Sequence, residues 1–176
     1  MDKPKHNLDF KLMALTYKVR DFFSPRMNIL KEAELKSGFR VLDYGCGPGS
    51  YIIPLAEFVG KSGKIYALDI HPLAIQMVRS IASKKQLPNV ETICSDCKTG
   101  LPDKSIDVAL LYDTLHGLSK PDEVLAELHR VLKPGGILSL SDHHMKEDEI
   151  RAKVTYIGLF WLSRKGERLY NFSKVG

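Results

Sequence analysis

Residues 41–50 read VLDYGCGPGS and place three glycines within five positions, after a mainly apolar run that contains one carboxylate, Asp43. An apolar run closed by glycine is typical of a strand that is buried on both faces. Glycine lacks a Cβ, so Gly45, Gly47 and Gly49 allow positive φ angles and let a ligand approach the main chain closely. The stretch therefore predicts the first strand of a parallel sheet, with a ligand site at its carboxyl end.

The chain beyond this stretch alternates between helix-like and strand-like segments. The strand patterns are KIYALDI (64–70), VETICSD (90–96), IDVALLYD (106–113) and ILSLSDH (137–143), and the helix patterns cover about 50–59, 72–86 and 121–132. Strands separated by helices of this length indicate βαβ units, so we expect an α/β fold with helices on both faces of a parallel sheet. A further helix over 146–157 and the segments GLFWLS and RLYNFSKV predict a C-terminal antiparallel hairpin.

Two helices are predicted ahead of the first strand. The apolar residues of the first helix form one stripe with steps of four, three, four and three: Leu8, Leu12, Leu15, Val19 and Phe22. This helix should end near Ser24, and we expect its stripe to pack on a surface of the protein. A second helix should begin at Pro25 and continue to the break at 36–38. Residues 1–176 contain no linker or repeat, so we expect a single domain.

The composition limits the class of protein. With 176 residues and 44% hydrophobic content, the chain is long enough for one domain with a full core. Its 26 Lys and Arg against 21 Asp and Glu give a net charge of +5, which falls short of a nucleic-acid-binding signature. Three cysteines are too few for a disulfide framework, which favours a cytoplasmic location. No segment approaches the roughly 18 apolar residues of a membrane span, and no signal peptide is expected.

Two ligand classes compete for the glycine turn. A dinucleotide fingerprint, G-x-G-x-x-G, would need its third glycine where Ser50 stands. A carboxylate at Asp43 would repel a pyrophosphate, whereas it would attract a ligand that carries an ammonium group. The stretch therefore favours a cationic ligand over a dinucleotide.

Four segments, in order along the chain, resemble the motifs of the class I S-adenosylmethionine-dependent methyltransferases. VLDYGCGPG is similar to motif I, and ALDIHP, SDCKTGLPDKSIDVALLYDTLHGL and LHRVLKPGGILSLSD continue the likeness. Within this superfamily the sequence most resembles the small-molecule type found in ubiquinone and menaquinone biosynthesis. The resemblance implies a Rossmann-like, doubly wound sheet of seven strands in the order 3-2-1-4-5-7-6, with S-adenosylmethionine as cofactor. It also implies that helices within residues 1–36 cover the cofactor and acceptor site, with Tyr17, Phe22 and Phe23 as lid residues.

The resemblance assigns cofactor-binding roles to two groups of residues. Motif I supplies the first group, which is Asp43, Tyr44, Gly45, Cys46 and Gly47. The second group lies at the ends of the next strands. Asp69 would accept hydrogen bonds from both ribose hydroxyls, and Ile70 would lie against the adenine ring. Asp96 and the amide of Cys97 would meet the adenine edge, with a plain turn role for Asp96 as the alternative. The main-chain carbonyl of Tyr112 would receive the methionine ammonium.

Transfer of a methyl group from a sulfonium requires alignment and a dry site more than a nucleophilic triad. If a base assists, the candidates are His116 beyond the fourth strand and His143 or His144 beyond the fifth; structural hydrogen bonding is the alternative for each. No metal site is expected, because no further ligands accompany the histidine pair. Cys94 and Cys97 span a strand end, which argues against a zinc or redox pair.

The sequence therefore predicts transfer of a methyl group from S-adenosylmethionine to an oxygen, nitrogen, sulfur or carbon atom of a small-molecule acceptor. The alternatives are an RNA methyltransferase and a cofactor-binding sensor without transfer activity. The fourth strand ends in YDTLHG and lacks an Asn/Asp-Pro-Pro-aromatic sequence, which disfavours nucleic acid as the partner. We expect a monomer or homodimer.

Overall fold

The computed structural model describes residues 4, 6–24 and 26–176. The helices are α1 (Asn7–Phe23), α2 (Met27–Leu30), α3 (Ile52–Val59), α4 (Pro72–Lys84), α5 (Pro121–Val131) and α6 (Glu147–Thr155). The strands are β1 (Arg40–Tyr44), β2 (Lys64–Asp69), β3 (Val90–Cys94), β4 (Ile106–Tyr112), β5 (Leu132–Ser141), β6 (Phe160–Lys165) and β7 (Tyr170–Lys174). A 3-10 turn at Leu115–Gly117 follows β4.

The strands form one sheet in the order β3-β2-β1-β4-β5-β7-β6, which confirms the predicted order. The first five strands are parallel, and β7 runs antiparallel to both β5 and β6. Because the chain steps outward from β1 to β3 and then returns to place β4 beside β1, a crevice opens over the carboxyl ends of β1 and β4. The predicted ligand site lies at this crevice.

The central strand, β1, is buried on both faces, which explains its mainly apolar sequence. Its residues 41–44 are all buried. Leu42 and Tyr44 pack on one side of the sheet with residues of α5 and α6. Val41 packs on the other side with residues of α2 and α3. Both faces of the strand therefore need apolar side chains, and each one fully buried contributes about 1.5–3 kcal/mol.

The N-terminal helices differ from the prediction. Helix α1 has the expected length, but its predicted packing stripe is exposed to solvent, with Leu8 at 70% and Phe22 at 81%. The expectation that this stripe packs on the protein was wrong. Instead, the opposite face packs, where Phe10 and Ala14 are buried against Ala74 of α4.

Helix α2 is also shorter than predicted, and the proposed first residue, Pro25, lies outside the described residues. The helical path ends at Glu34, whose φ of 56° is in the left-handed region. Asn171 of β7 donates a hydrogen bond to the carbonyl of Glu32 at 2.7 Å, so this turn is tied to the sheet. β5 begins at Leu132 rather than at Ile137, with a register shift in its pairing with β4.

Within the described ranges, no helix combines the length and the apolar character that a bilayer crossing requires.

Candidate functional site

A cavity of about 300 Å³ lies over the carboxyl ends of β1, β2 and β4. This volume is within the range of small-molecule sites, about 300–1,000 Å³. Most of the predicted cofactor residues line it, namely Asp43, Tyr44, Gly45, Cys46, Gly47, Asp69, Ile70, Asp96 and Tyr112. Cys97 does not line the cavity. Of the candidate bases, His116 and His144 line it and His143 does not.

The glycine turn is shaped by two different constraints. Gly45 has a φ of 80°, and a Cβ built on it would lie 2.4 Å from the side-chain oxygen of Thr114. Gly47 has a φ of 52°, and a Cβ there would meet no atom within 4 Å. Gly45 is therefore required by packing, whereas Gly47 leaves open space at the cavity wall.

The amides of this turn donate within the protein. Those of Gly45 and Cys46 donate to the carbonyl of Leu68 at 2.8 and 2.9 Å. The amide of Gly47 donates to Asp69 Oδ2 at 2.8 Å. These three amide hydrogens are therefore already used within the protein. What the turn offers a ligand is close approach to a backbone without side chains.

Asp43 is the electrostatic anomaly of the site. It is 2% exposed, and its Oδ2 has no hydrogen-bond partner within the described part of the chain. Burial, and secondly the negative charge of Asp69, raise the pKa of Asp43 to about 7. An ionised carboxylate without a partner is costly inside a protein. Because Asp43 lines the cavity, a cation bound there would compensate this charge, so the site fits the positively charged methionine end of S-adenosylmethionine.

Asp69 is held rigidly at the end of β2. Its Oδ2 accepts the bond from Gly47, and its Oδ1 accepts one from the amide of His71 at 2.8 Å. Burial raises the pKa of Asp69, and these two amides partly oppose the rise. Each carboxylate oxygen can accept more than one hydrogen bond, so both oxygens can still accept from a diol.

The predicted adenine end of the cavity is built around Asp96. Tyr44 donates its hydroxyl to the carbonyls of Asp96 at 3.2 Å and Cys97 at 3.4 Å, which ties the segment after β3 to β1. Cys97 therefore shares in fixing this segment, although it lies outside the cavity lining. Phe10 of α1 packs over His71, with ring centroids 4.1 Å apart.

Tyr112 is fixed by contacts at both ends. Its hydroxyl is hydrogen-bonded to that of Ser139 at 3.0 Å, and burial raises its pKa well above the usual value. Its ring meets Tyr51 edge to face, with centroids 5.0 Å apart. The carbonyl of Tyr112 accepts a bond from Thr114 at 2.9 Å, and a carbonyl oxygen can accept two hydrogen bonds.

His116 and Asp142 form a dyad that the sequence did not reveal. The Nδ1 of His116 lies 2.9 and 3.0 Å from the two carboxylate oxygens of Asp142. The amides of His116 and His144 donate to the same carboxylate at 3.0 and 3.1 Å. Burial alone would raise the pKa of Asp142, but these hydrogen bonds outweigh it and hold the pKa below its usual value. An ionised Asp142 requires a proton on Nδ1, which leaves the lone pair of a neutral His116 on Nε2.

His143 belongs to a second cavity. Its Nδ1 lies 2.7 Å from Asp113 Oδ1, and its side chain is 62% exposed. This cavity, of about 440 Å³, shares Arg20, Tyr51 and Asp113 with the first. The ring of His144 contacts both other histidine rings at a tilt, with centroids 3.8 Å from His143 and 4.3 Å from His116. No cluster in the described ranges has the composition of a metal site.

Helix α1 lies along the cavity with Phe10, Met13, Tyr17 and Arg20. The guanidinium of Arg20 sits 4.0 Å from the centroid of the Tyr17 ring, and burial raises the pKa of Tyr17. Arg20 also donates to Ser50 of the glycine turn at 3.4 Å. Of the lid residues named from the resemblance, only Tyr17 lines the cavity.

Comparisons with known proteins agree with this geometry. Residues 35–171 match a family described as a methyltransferase domain. The crystal structure of a SAM-dependent methyltransferase from Aquifex aeolicus superposes with a TM-score of 0.76 at 30% identity, covering 90% of this chain and 96% of that one.

Two curated relatives are similar over part of their length. Demethylmenaquinone methyltransferase from Geobacillus sp. (strain WCH70) is 33% identical over 63% of this chain and 48% of the relative. Aklanonic acid methyltransferase DauC from Streptomyces sp. (strain C5) is 34% identical over 69% of this chain and 56% of the relative. The chain thus spans about half the length of these two relatives.

Proposed function

The chain belongs to the class I S-adenosylmethionine-dependent methyltransferases, and we propose that it transfers the cofactor's methyl group to a small-molecule acceptor. The buried Asp43 carboxylate supports this function most directly. Its Oδ2 lacks a partner in the described part of the chain, although Asp43 lines the cavity. A cationic cofactor compensates the charge of this carboxylate, whereas a pyrophosphate would repel it.

The cofactor, S-adenosylmethionine, supplies an electrophilic methyl group on a positively charged sulfur when it is bound. Asp43 and the carbonyl of Tyr112 would hold its methionine end, which the open space at Gly47 lets approach the backbone. Asp69 accepts from the ribose hydroxyls with its two fixed oxygens, which already accept amide bonds at 2.8 Å. Asp96 meets the adenine, for which Ile70 provides an apolar contact.

His116 acts as the base. Its Nε2 takes the proton from the acceptor atom, and the imidazolium that forms is stabilised by the ionised Asp142 at 2.9 Å. Asp142 is a positioning residue: it fixes the tautomer and orientation of the ring without touching the acceptor. General-base assistance of this kind contributes about 10²–10⁴-fold in rate.

The acceptor is an aromatic, quinol-type molecule with an acidic oxygen or carbon. Support comes from the aromatic lining contributed by Phe10, Tyr17 and Tyr51. It also comes from the names of two relatives, which specify demethylmenaquinone and aklanonic acid. The N-terminal helices within residues 1–36 cover this acceptor and exclude water. The reaction takes place in the cytoplasm, where the free thiols of the three described cysteines are stable.

The test is product analysis with methyl-labelled S-adenosylmethionine and a panel of quinols, thiols, amines and RNA. We expect label in a quinol-type product and a loss of at least about 100-fold in rate for His116→Gln. His129→Gln is the matched control, because His129 lies outside the cavity and contacts the carbonyl of Val175. Label in RNA alone would contradict the small-molecule assignment. Binding of the cofactor with no labelled acceptor would instead indicate a sensor.

A further inference from the structure

Helix α1 presents a continuous apolar surface to solvent, here called the outer stripe. It consists of Leu8, Leu12, Leu15, Val19, Phe22 and Phe23, which are 53–81% exposed. Their spacing of three and four residues puts them on one face of the helix. Single exposed apolar residues are ordinary, but a contiguous patch of this kind marks an interaction site.

One edge of the outer stripe is basic. Lys11 lies three residues after Leu8 and four before Leu15, and Lys18 stands in the same relation to Leu15 and Phe22. Both lysines are exposed. Residues three and four apart are neighbours on a helix surface, so the two ammonium groups flank the same side of the stripe.

The acidic residues of α1 do not neutralise this edge. Asp21 is half-buried and pairs with Arg20 at 2.9 Å and with Arg26 at 3.1 Å. The exposed Asp9 lies toward the other side of the stripe, two positions before Lys11. A partner must therefore offer apolar contact along the stripe and negative charge beside the lysines.

We propose that the outer stripe lies in the surface of an anionic lipid bilayer. Interfacial helices combine an apolar face with flanking lysines in this way, and each basic residue near such a surface adds to the attraction. A second copy of the chain fits less well, because antiparallel packing of two stripes would set the two lysine edges against each other. Anionic headgroups satisfy both requirements at once.

The inner face of the same helix explains why this contact matters. Phe10, Met13 and Tyr17 project from the opposite side of α1 and line the cavity. A helix docked through its outer stripe lies between the bilayer and the cavity, which keeps the cavity about one helix diameter, roughly 10 Å, from the surface where apolar small molecules concentrate. Docking is independent of methyl transfer, so failure of either one leaves the other testable.

Co-sedimentation tests the docking, with vesicles of equal parts phosphatidylglycerol and phosphatidylcholine compared with phosphatidylcholine alone. We expect binding to the anionic vesicles and a loss of at least about tenfold in partitioning for the double variant Phe22→Ser and Phe23→Ser. The control removes two exposed aromatic side chains elsewhere, Tyr156→Ser and Trp161→Ser, and should bind like the wild type.

Charge-reversal variants test whether the lysines beside the outer stripe are required. Lys11→Glu with Lys18→Glu should abolish the preference for anionic vesicles. Lys61→Glu with Lys85→Glu changes net charge equally on exposed residues outside α1 and should keep the preference. If both lysine pairs lost the preference for anionic vesicles equally, the docking geometry would be overturned. Wild-type binding by the variant with Phe22→Ser and Phe23→Ser would overturn it as well. Concentration-dependent dimers without vesicle binding would assign the stripe to a second copy.

A fluorescent probe distinguishes insertion from loss of folding. Trp161 is the chain's single tryptophan, so Phe22→Trp in a Trp161→Phe background reports on the stripe alone. Its emission should shift to the blue on anionic vesicles, while affinity for S-adenosylmethionine stays at the wild-type value. An unshifted emission in a protein that still binds the cofactor would contradict the proposal.

Discussion

Replacing Asp43 with Asn should stabilise the cofactor-free protein at alkaline pH. Asp43 is buried, and its Oδ2 has no partner among the residues described. Burial, with a further contribution from the charge of Asp69, raises its pKa from 3.8 to about 7. A neutral amide of the same shape avoids the cost of holding an ionised carboxylate in the interior.

The sign and size of the effect follow from proton linkage. In the unfolded chain the carboxyl group loses its proton near its ordinary pKa, whereas the folded protein retains the proton up to about pH 7. The folded state thus binds more protons between these values, and the free energy of unfolding falls as pH rises through them. A shift of about three pKa units, at 1.36 kcal/mol per unit, makes the full loss about 4 kcal/mol.

The assay is equilibrium unfolding in urea at pH 5 and pH 8, without cofactor, for the wild type and Asp43→Asn. Subtracting the unfolding free energy of the wild type from that of the variant cancels the contributions of other titrating groups. Between pH 5 and pH 8 this difference should shift by about 3 kcal/mol in favour of the variant. Asp122→Asn removes an exposed carboxylate and serves as the control. Parallel pH profiles for the wild type and Asp43→Asn would refute the reasoning.

Three further predictions concern the site. Asp69→Ala should weaken binding of S-adenosylmethionine by about 30-fold or more in calorimetry, because ribose hydroxyls lose their acceptors; unchanged affinity would remove Asp69 from the site. Asp142→Asn should lower kcat by about 100-fold with little change in KM and should alter the pH profile of kcat; an unaltered pH profile would make Asp142 purely structural. Gly45→Ala should destabilise the protein by about 2 kcal/mol or more, because its Cβ would lie 2.4 Å from Thr114. Gly47→Ala has no such contact and should destabilise less in the same urea titration, and equal losses would contradict the packing role of Gly45.

The strands of the sheet could be predicted because the sequence pattern of each one is typical of a buried strand. Residues 41–44 are apolar or aromatic apart from Asp43, and a strand buried on both faces requires this composition. The order of the strands came from the resemblance, since periodicity identifies strands but not their neighbours. The start of β5 was missed, because Pro134 and two glycines read as a turn although they belong to an irregular strand.

The packing of α1 could not be predicted from its pattern. Both faces carry apolar residues, Leu8 and Leu15 on one side and Phe10 and Ala14 on the other. The hydrophobic period identifies a helix but does not decide which apolar face is buried. Tertiary contact with Ala74 settles the choice.

The His116 and Asp142 dyad was missed for a related reason. The two residues are 26 positions apart and meet because β4 and β5 are neighbours in the sheet. The available signal was a carboxylate directly after the fifth strand, at the same edge as a histidine four residues after the fourth. Combining that signal with the predicted strand order would have found the pair.

Calorimetric titration with S-adenosylmethionine in buffers of different ionisation enthalpy tests the central claim most directly, because it counts the protons released on binding. At pH 6 Asp43 is mostly protonated in the free protein, so compensation by the cofactor's positive charge should release close to one proton, falling toward zero at pH 8. Asp43→Asn should bind more weakly and release none of this proton. Tight binding with equal proton release by the wild type and the variant would contradict the account, as would uptake of a nicotinamide or flavin dinucleotide in place of S-adenosylmethionine.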